Sequence, residues 1–149
     1  MRTIIAANWK MNKTRTEAKA TAHELASILG GAPDDRDVVV FAPFTALEAT
    51  REGLDGAPGI FVGAQNMYPA ESGAFTGEIS AEMLKACGVE YVITGHSERR
   101  TYFGDTDVTV LRCQFSDSRE RVRTLSVKSA LAALLSALKL AGSDKKRNK

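Results

Sequence analysis

The sequence predicts an α/β fold on a parallel sheet, and three observations lead there. Four apolar runs, Thr3–Ala7, Val38–Phe41, Ile60–Ala64 and Tyr91–Ile93, are continuous rather than alternating. Strands of that kind are covered on both faces. Each of the first three runs is followed by a helical stretch before the next begins, the pattern of βαβ units with right-handed crossovers. The runs recur every 20–35 residues or so, a spacing that suits about four βα units. That spacing fits an open doubly wound sheet and part of a (β/α) barrel equally well.

In chain order, Thr3–Ala7 reads as a short buried strand. Thr14–Leu29 has helical spacing: Ala18, Ala22, Leu25, Ala26 and Leu29 share a face. Thr14 is placed to cap it and Gly30-Gly31 to end it. Val38-Val39-Val40-Phe41 is a β-branched run, hence a second buried strand, and Pro43 punctuates it. Thr45–Glu52 reads as a short helix and Ile60–Ala64 as the third strand. A long Gly-bearing loop, 65–77, leads to a helix over Ser80–Ala86. Tyr91–Ile93 is the fourth strand. Near the C-terminus, Val127–Ala141 is rich in Leu and Ala and predicts a helix. Its Leu131, Leu134, Leu135 and Leu138 make one apolar face. Gly142 ends it.

The 149 residues suit one domain with a sizeable core. The opening apolar run, Ile4–Ala7, is too short for a signal peptide, and no stretch is long and apolar enough to span a membrane. Cys87 and Cys113 have neither metal nor redox spacing, so two reduced thiols in a cytoplasmic protein are expected. The net charge of +2 hides a break. Residues 1–107 hold 10 Lys+Arg against 15 Asp+Glu, and residues 108–149 hold 10 against 3. All four prolines precede residue 70, and Gly142 is the only glycine after residue 104. Two segments are expected: a folded unit at 1–107 and a divergent basic tail at 108–149 carrying the 127–141 helix. Salt-sensitive nucleic-acid or membrane contact through Lys145, Lys146, Arg147 and Lys149 is a weaker alternative, and neither partner is expected.

In parallel α/β proteins functional groups gather at the carboxyl ends of strands. There the chain offers Asn8-Trp9-Lys10, Ala42-Pro43, Gln65-Asn66 and Gly95-His96. An amide, an ammonium and an imidazole on one face suit an oxyanion or a phosphate. Taken singly, each has a bland alternative: Asn8 as a turn residue, Lys10 as a solvated charge, His96 as a cap or packed ring. Glu98 with Arg99-Arg100 could be a charged surface turn. The joint placement carries the reading.

These residues sit in recognisable motifs. NWKMN at 8–12, FAPFTAL at 41–47, GAQNMYPAESGAFTGEIS at 63–80 and GHSERRTYFGDTD at 95–107 resemble the triosephosphate isomerase family, in its order and spacing. The resemblance chooses the barrel: about four units of a TIM (β/α) barrel plus a C-terminal helix. It implies interconversion of glyceraldehyde 3-phosphate and dihydroxyacetone phosphate, in glycolysis and gluconeogenesis, without metal or cofactor. Asn8 would hold the oxygen that becomes an enediolate, and Lys10 would offset the charge of phosphate and enediolate. His96 would hydrogen-bond the carbonyl as a neutral imidazole at the start of the following helix. Glu98 would pair with Lys10, and Ser97 would sit beside the substrate. The 65–79 loop, with Gln65, Tyr68, Phe75 and Thr76, resembles the segment through which family members form homodimers.

The resemblance also has an end. The family's base is a glutamate in a Tyr-Glu-Pro-type motif, its lid carries Pro and Trp, and its phosphate is gripped by a late Gly-Gly loop. Here no Glu-Pro dipeptide occurs, Trp9 is the single tryptophan, and only Gly142 follows residue 104. Nothing places the tail carboxylates Asp117 and Glu120 opposite His96. The expectation is an isomerase by descent, truncated or frameshifted after residue 107 and inactive alone. The alternatives are a mis-joined gene model, or a genuine half-barrel whose 127–141 helix covers its open surface. Such a half-barrel would dimerise, or bind a full-length isomerase, through loop 65–79.

Overall fold

A computed structural model of the chain describes residues 3–108. The expected tail and its 127–141 helix, Cys113, Asp117 and Glu120 lie outside them. Four strands, β1 (Thr3–Asn8), β2 (Arg36–Ala42), β3 (Ile60–Ala64) and β4 (Tyr91–Val92), form one sheet in the order β1-β2-β3-β4. All three pairings are parallel. Helices α1 (Arg15–Leu29), α2 (Leu47–Gly53) and α3 (Ala81–Ala86) alternate with them, α2 being preceded by a 3-10 turn over Phe44–Ala46. Helix α4 (Ser97–Tyr102) follows β4. The sheet is curled. β2 and β4 approach within 8 Å between Cα atoms although β3 lies between them. A flat sheet would hold them roughly 9.5 Å apart, two strand spacings. This is the half-barrel expected.

The local chemistry explains the elements. The Thr14 side chain accepts from Glu17 N–H while the Glu17 carboxylate accepts from Thr14 N–H at 2.8 Å, a reciprocal capping box. The latter bond, foremost, holds the Glu17 carboxyl below its usual range. Gly30 ends α1 at φ 63°, donating to Ala26 O at 2.8 Å. A side chain there would be strained. Ser80 caps α3 by accepting from Met83 N–H.

Apolar side chains cover both faces of the sheet. Val39, Phe41 and Tyr91 pack on the concave face with Ile4, Phe61 and Ile93. On the convex face, Val40, Ile60 and Leu54 pack on Ala22 of α1. Ala42, Val62, Ala64 and Val92 pack with Leu47, Leu84 and Val89.

The sequence reading needs three corrections. β1 is not a buried strand: Thr3, Ile5, Ala6 and Ala7 are exposed, because β1 has a neighbour on one side only among the described residues. β2 begins two residues earlier than expected, at Arg36. Its polar Asp37 is buried by accepting a 2.7 Å hydrogen bond from the Tyr91 hydroxyl across the concave face. Leu29 leaves the shared face of α1 and stands exposed in its last turn.

Candidate active site

The carboxyl end of β1 delivers Asn8 to the concave face, in register with Phe41 of β2. Two residues on, Lys10 takes φ 54°, a left-handed conformation that a lysine adopts only under constraint. The constraint is visible. Lys10 N–H donates to Asn8 Oδ1 at 2.9 Å. Gln65 Nε2, from the end of β3, donates to Lys10 O at 2.9 Å and to Phe41 O at 3.0 Å. Trp9 N–H also donates to Phe41 O at 3.0 Å. One amide thus ties the turn after β1 to the end of β2. With Asn8 Oδ1 engaged, its NH₂ group is the donor left for a ligand.

His96 is the N-cap of α4, and its Nδ1 accepts from Glu98 N–H at 3.2 Å. With Nδ1 accepting, Nε2 is the ring nitrogen left to face a ligand. The Glu98 carboxylate lies 3.7 Å from the same Nδ1, a contact that would require a proton there. The backbone contact is the shorter of the two. Arg100 steadies the approach to His96 by donating from Nε to Gly95 O at 2.8 Å and from Nη1 to Asp107 at 2.7 Å. Arg99 grips Asp105 with two nitrogens, at 2.9 and 3.2 Å.

The two strand ends meet in one ion pair, Lys10 Nζ to Glu98 Oε1 at 2.6 Å. Asn8, Lys10, His96 and Glu98 are therefore joined by hydrogen bonds. Ser97 is exposed at the first turn of α4 beside them. Gln65 lies beneath this group. Farther out, loop 65–79 is closed at its base by Tyr68 N–H to Ile79 O at 2.8 Å. Inside it the Tyr68 and Phe75 rings stack with centroids 4.6 Å apart, and Thr76 is exposed at its turn. Among the described residues no cluster of His, Cys, Asp and Glu is arranged to hold a metal ion. None of their helices is long and apolar enough to cross a membrane. A pocket of about 580 Å³ lined by Arg51, Asp55, Pro58, Gly88 and Glu90 opens before β3 and β4, at the opposite ends of the strands.

The Lys10 hydrogen bond holds the Glu98 carboxyl below its ordinary range; partial desolvation opposes this, and the charge of Lys10 assists. A carboxyl lowered in the folded state keeps its pairing above the ordinary carboxylate value and loses it as pH falls through the lowered one. The pair is thus expected to survive acidification past the usual Glu range of about 4.3. Carboxyl-carbon NMR checks this: Lys10→Met should return the Glu98 titration to the usual range. An unchanged midpoint would mean that another group sets it.

An imidazole and an amide beside a fixed cation are suited to stabilising negative charge on an oxygen. The triosephosphate isomerase family model matches residues 3–120. The chain is 48% identical over 110 residues to the triosephosphate isomerase of Oleidesulfovibrio alaskensis, covering 74% of this chain and 44% of that one. It is 55% identical over 109 residues to that of Trichodesmium erythraeum, covering 73% and 45%. It is 54% identical over 105 residues to that of Lawsonia intracellularis, covering 70% and 41%. The chain belongs to the triosephosphate isomerase family, and it spans less than half the length of these curated relatives.

Two features of the site escape sequence reasoning. Gln65, read as a strand-end amide and as part of a dimer loop, also holds the Lys10 turn with its side chain. Arg99 and Arg100, for which a charged surface turn was one alternative, are both engaged around α4. The one sequence signal was their adjacency to the strand ends.

Proposed function

We propose that residues 3–108 form the electrophile-bearing half of a triose-phosphate isomerase site, which binds the substrate but does not turn it over usefully in this chain alone. The observation that supports this is His96, its Nδ1 accepting from Glu98 N–H, beside the Lys10–Glu98 pair. In an aldose–ketose isomerisation a proton moves between adjacent carbons, and the carbonyl oxygen gathers charge as the enediolate forms. His96 Nε2–H and the Asn8 amide would donate to that oxygen, and Lys10 would offset its charge and that of the phosphate. Ser97 lines the substrate side. On this reading 1–107 is the catalytic unit and 108–149 a separate basic tail. The protein is cytoplasmic, as a glycolytic enzyme would be, and needs no cofactor.

Titration of ¹⁵N-labelled chain with dihydroxyacetone phosphate tests the reading. Saturable shifts are expected at Asn8, Lys10 and His96. Lys10→Ala should weaken binding about 10–100-fold, the range for one charge-assisted hydrogen bond. An absence of shifts at these residues would refute a substrate site.

A second reading, a non-catalytic module, is favoured by exposed apolar side chains at the same end of the strands. Met11 is 96% exposed, and Phe44, Phe75, Tyr102 and Phe103 are also exposed. Such a surface suits self-association through loop 65–79, or docking on a full-length isomerase.

A further inference from the structure

We propose that a second copy of this chain closes the sheet, with β4 of each copy beside β1 of the other in an eight-stranded barrel. The surface is distinct from loop 65–79 and does not depend on substrate binding.

The strand edge supplies the first argument. Thr3 and Trp9 donate their N–H groups to Asp35 and Phe41 on the β2 side. Alternate residues of a strand face the same neighbour. Ile4, Ala6 and Asn8 therefore direct N–H and C=O away from β2, at an edge that no other described strand pairs. That edge, Thr-Ile-Ile-Ala-Ala-Asn, has none of the Lys, Pro or acidic residues that guard a solvent-facing edge, and Ile5 is 47% exposed.

Geometry supplies the second. The sheet is already curled, bringing β2 within 8 Å of β4. Four strands are half of the eight at which side chains just fill a barrel. All strands run parallel. A half-turn about the barrel axis therefore sets β4 beside the partner's β1 twice, with every strand still parallel. The symmetry closes, so growth stops at two copies. The concave cluster of Ile4, Val39, Phe41, Phe61, Tyr91 and Ile93 would then face its own copy.

The test uses the full 149-residue chain carrying Phe75→Glu, which disables the loop surface and separates this proposal from the loop reading. Sedimentation is run from about 1 µM to about 100 µM, bracketing micromolar affinity. A two-chain mass is expected at the upper end, with the Ala6 and Asn8 amides exchanging at least about tenfold slower there than at the lower end. Adding Ala6→Pro removes a donor from the open edge, where proline is tolerated. It should yield a monomer with unchanged far-UV circular dichroism. Should that variant unfold, the concentration dependence of amide exchange decides. A monomer throughout, edge amides protected within a monomer by the chain's own remaining residues, a dimer indifferent to Ala6→Pro, or open-ended aggregates would each overturn the proposal.

Discussion

Phe41→Ala is expected to destabilise the chain by about 3–5 kcal/mol, most of its stability if that is near the low end of the usual 5–15 kcal/mol. Phe41 is fully buried on the concave face. The ring fills space that β3 leaves by having glycine opposite: a Cβ on Gly63 would lie 2.4 Å from Phe41 Cδ1. Gly63 has no side chain to move into the vacated volume, so the cavity would persist, and a persistent cavity adds to the lost transfer energy. The backbone matters too. Phe41 O accepts from both Trp9 N–H and Gln65 Nε2, so a displaced β2 would also loosen the Lys10 turn. Urea unfolding followed by circular dichroism measures the loss, expected as a midpoint shift of about 1 M or more. A loss under about 1 kcal/mol would show that the concave face tolerates a void, which a tightly packed core does not.

How far the sequence revealed this molecule depends on the range of the interaction. Thr14 and Glu17 signal a capping box three residues apart, and the α1 boundary follows. The continuous runs of β2 and β3 announce strands covered on both faces. His96 and Lys10 are legible because each stands at a strand end. Asp37 is left out of β2 by the sequence reading because its burial rests on the Tyr91 hydroxyl, 54 residues away, and polarity alone starts the strand too late. The tie that Gln65 makes is hidden for the same reason: its partners are backbone carbonyls of Lys10 and Phe41, which leave no side-chain pattern. β1 shows the reverse error. An apolar run reports what a strand prefers to touch, not whether a neighbour is present, and among the described residues β1 has one on a single side.

The largest effect expected in this protein concerns turnover. In a coupled glyceraldehyde 3-phosphate assay the 149-residue chain should run below about 1% of a full-length family member, because a missing base alone removes about 10²–10⁴-fold. The described site holds one electrophile and one cation, and its carboxylate, Glu98, is already engaged by Lys10 at 2.6 Å. Its pKa is lowered, which makes it a weaker base. It is also adjacent to His96, whereas abstraction of a carbon-bound proton needs a carboxylate across the substrate from the electrophile. Elsewhere in the 149 residues no Glu-Pro dipeptide offers the family's base, and Gly142 alone follows residue 104 where a Gly-Gly phosphate loop would lie. Binding and turnover should therefore separate: dihydroxyacetone phosphate shifts Asn8, Lys10 and His96 while the assay stays near background. His96→Gln, which retains a hydrogen-bond donor but not the ring, should change binding modestly and leave that background where it is. Turnover above about 1% that falls with His96→Gln would mean that a base does reach the substrate. Asp117 and Glu120 would then be the first side chains to replace.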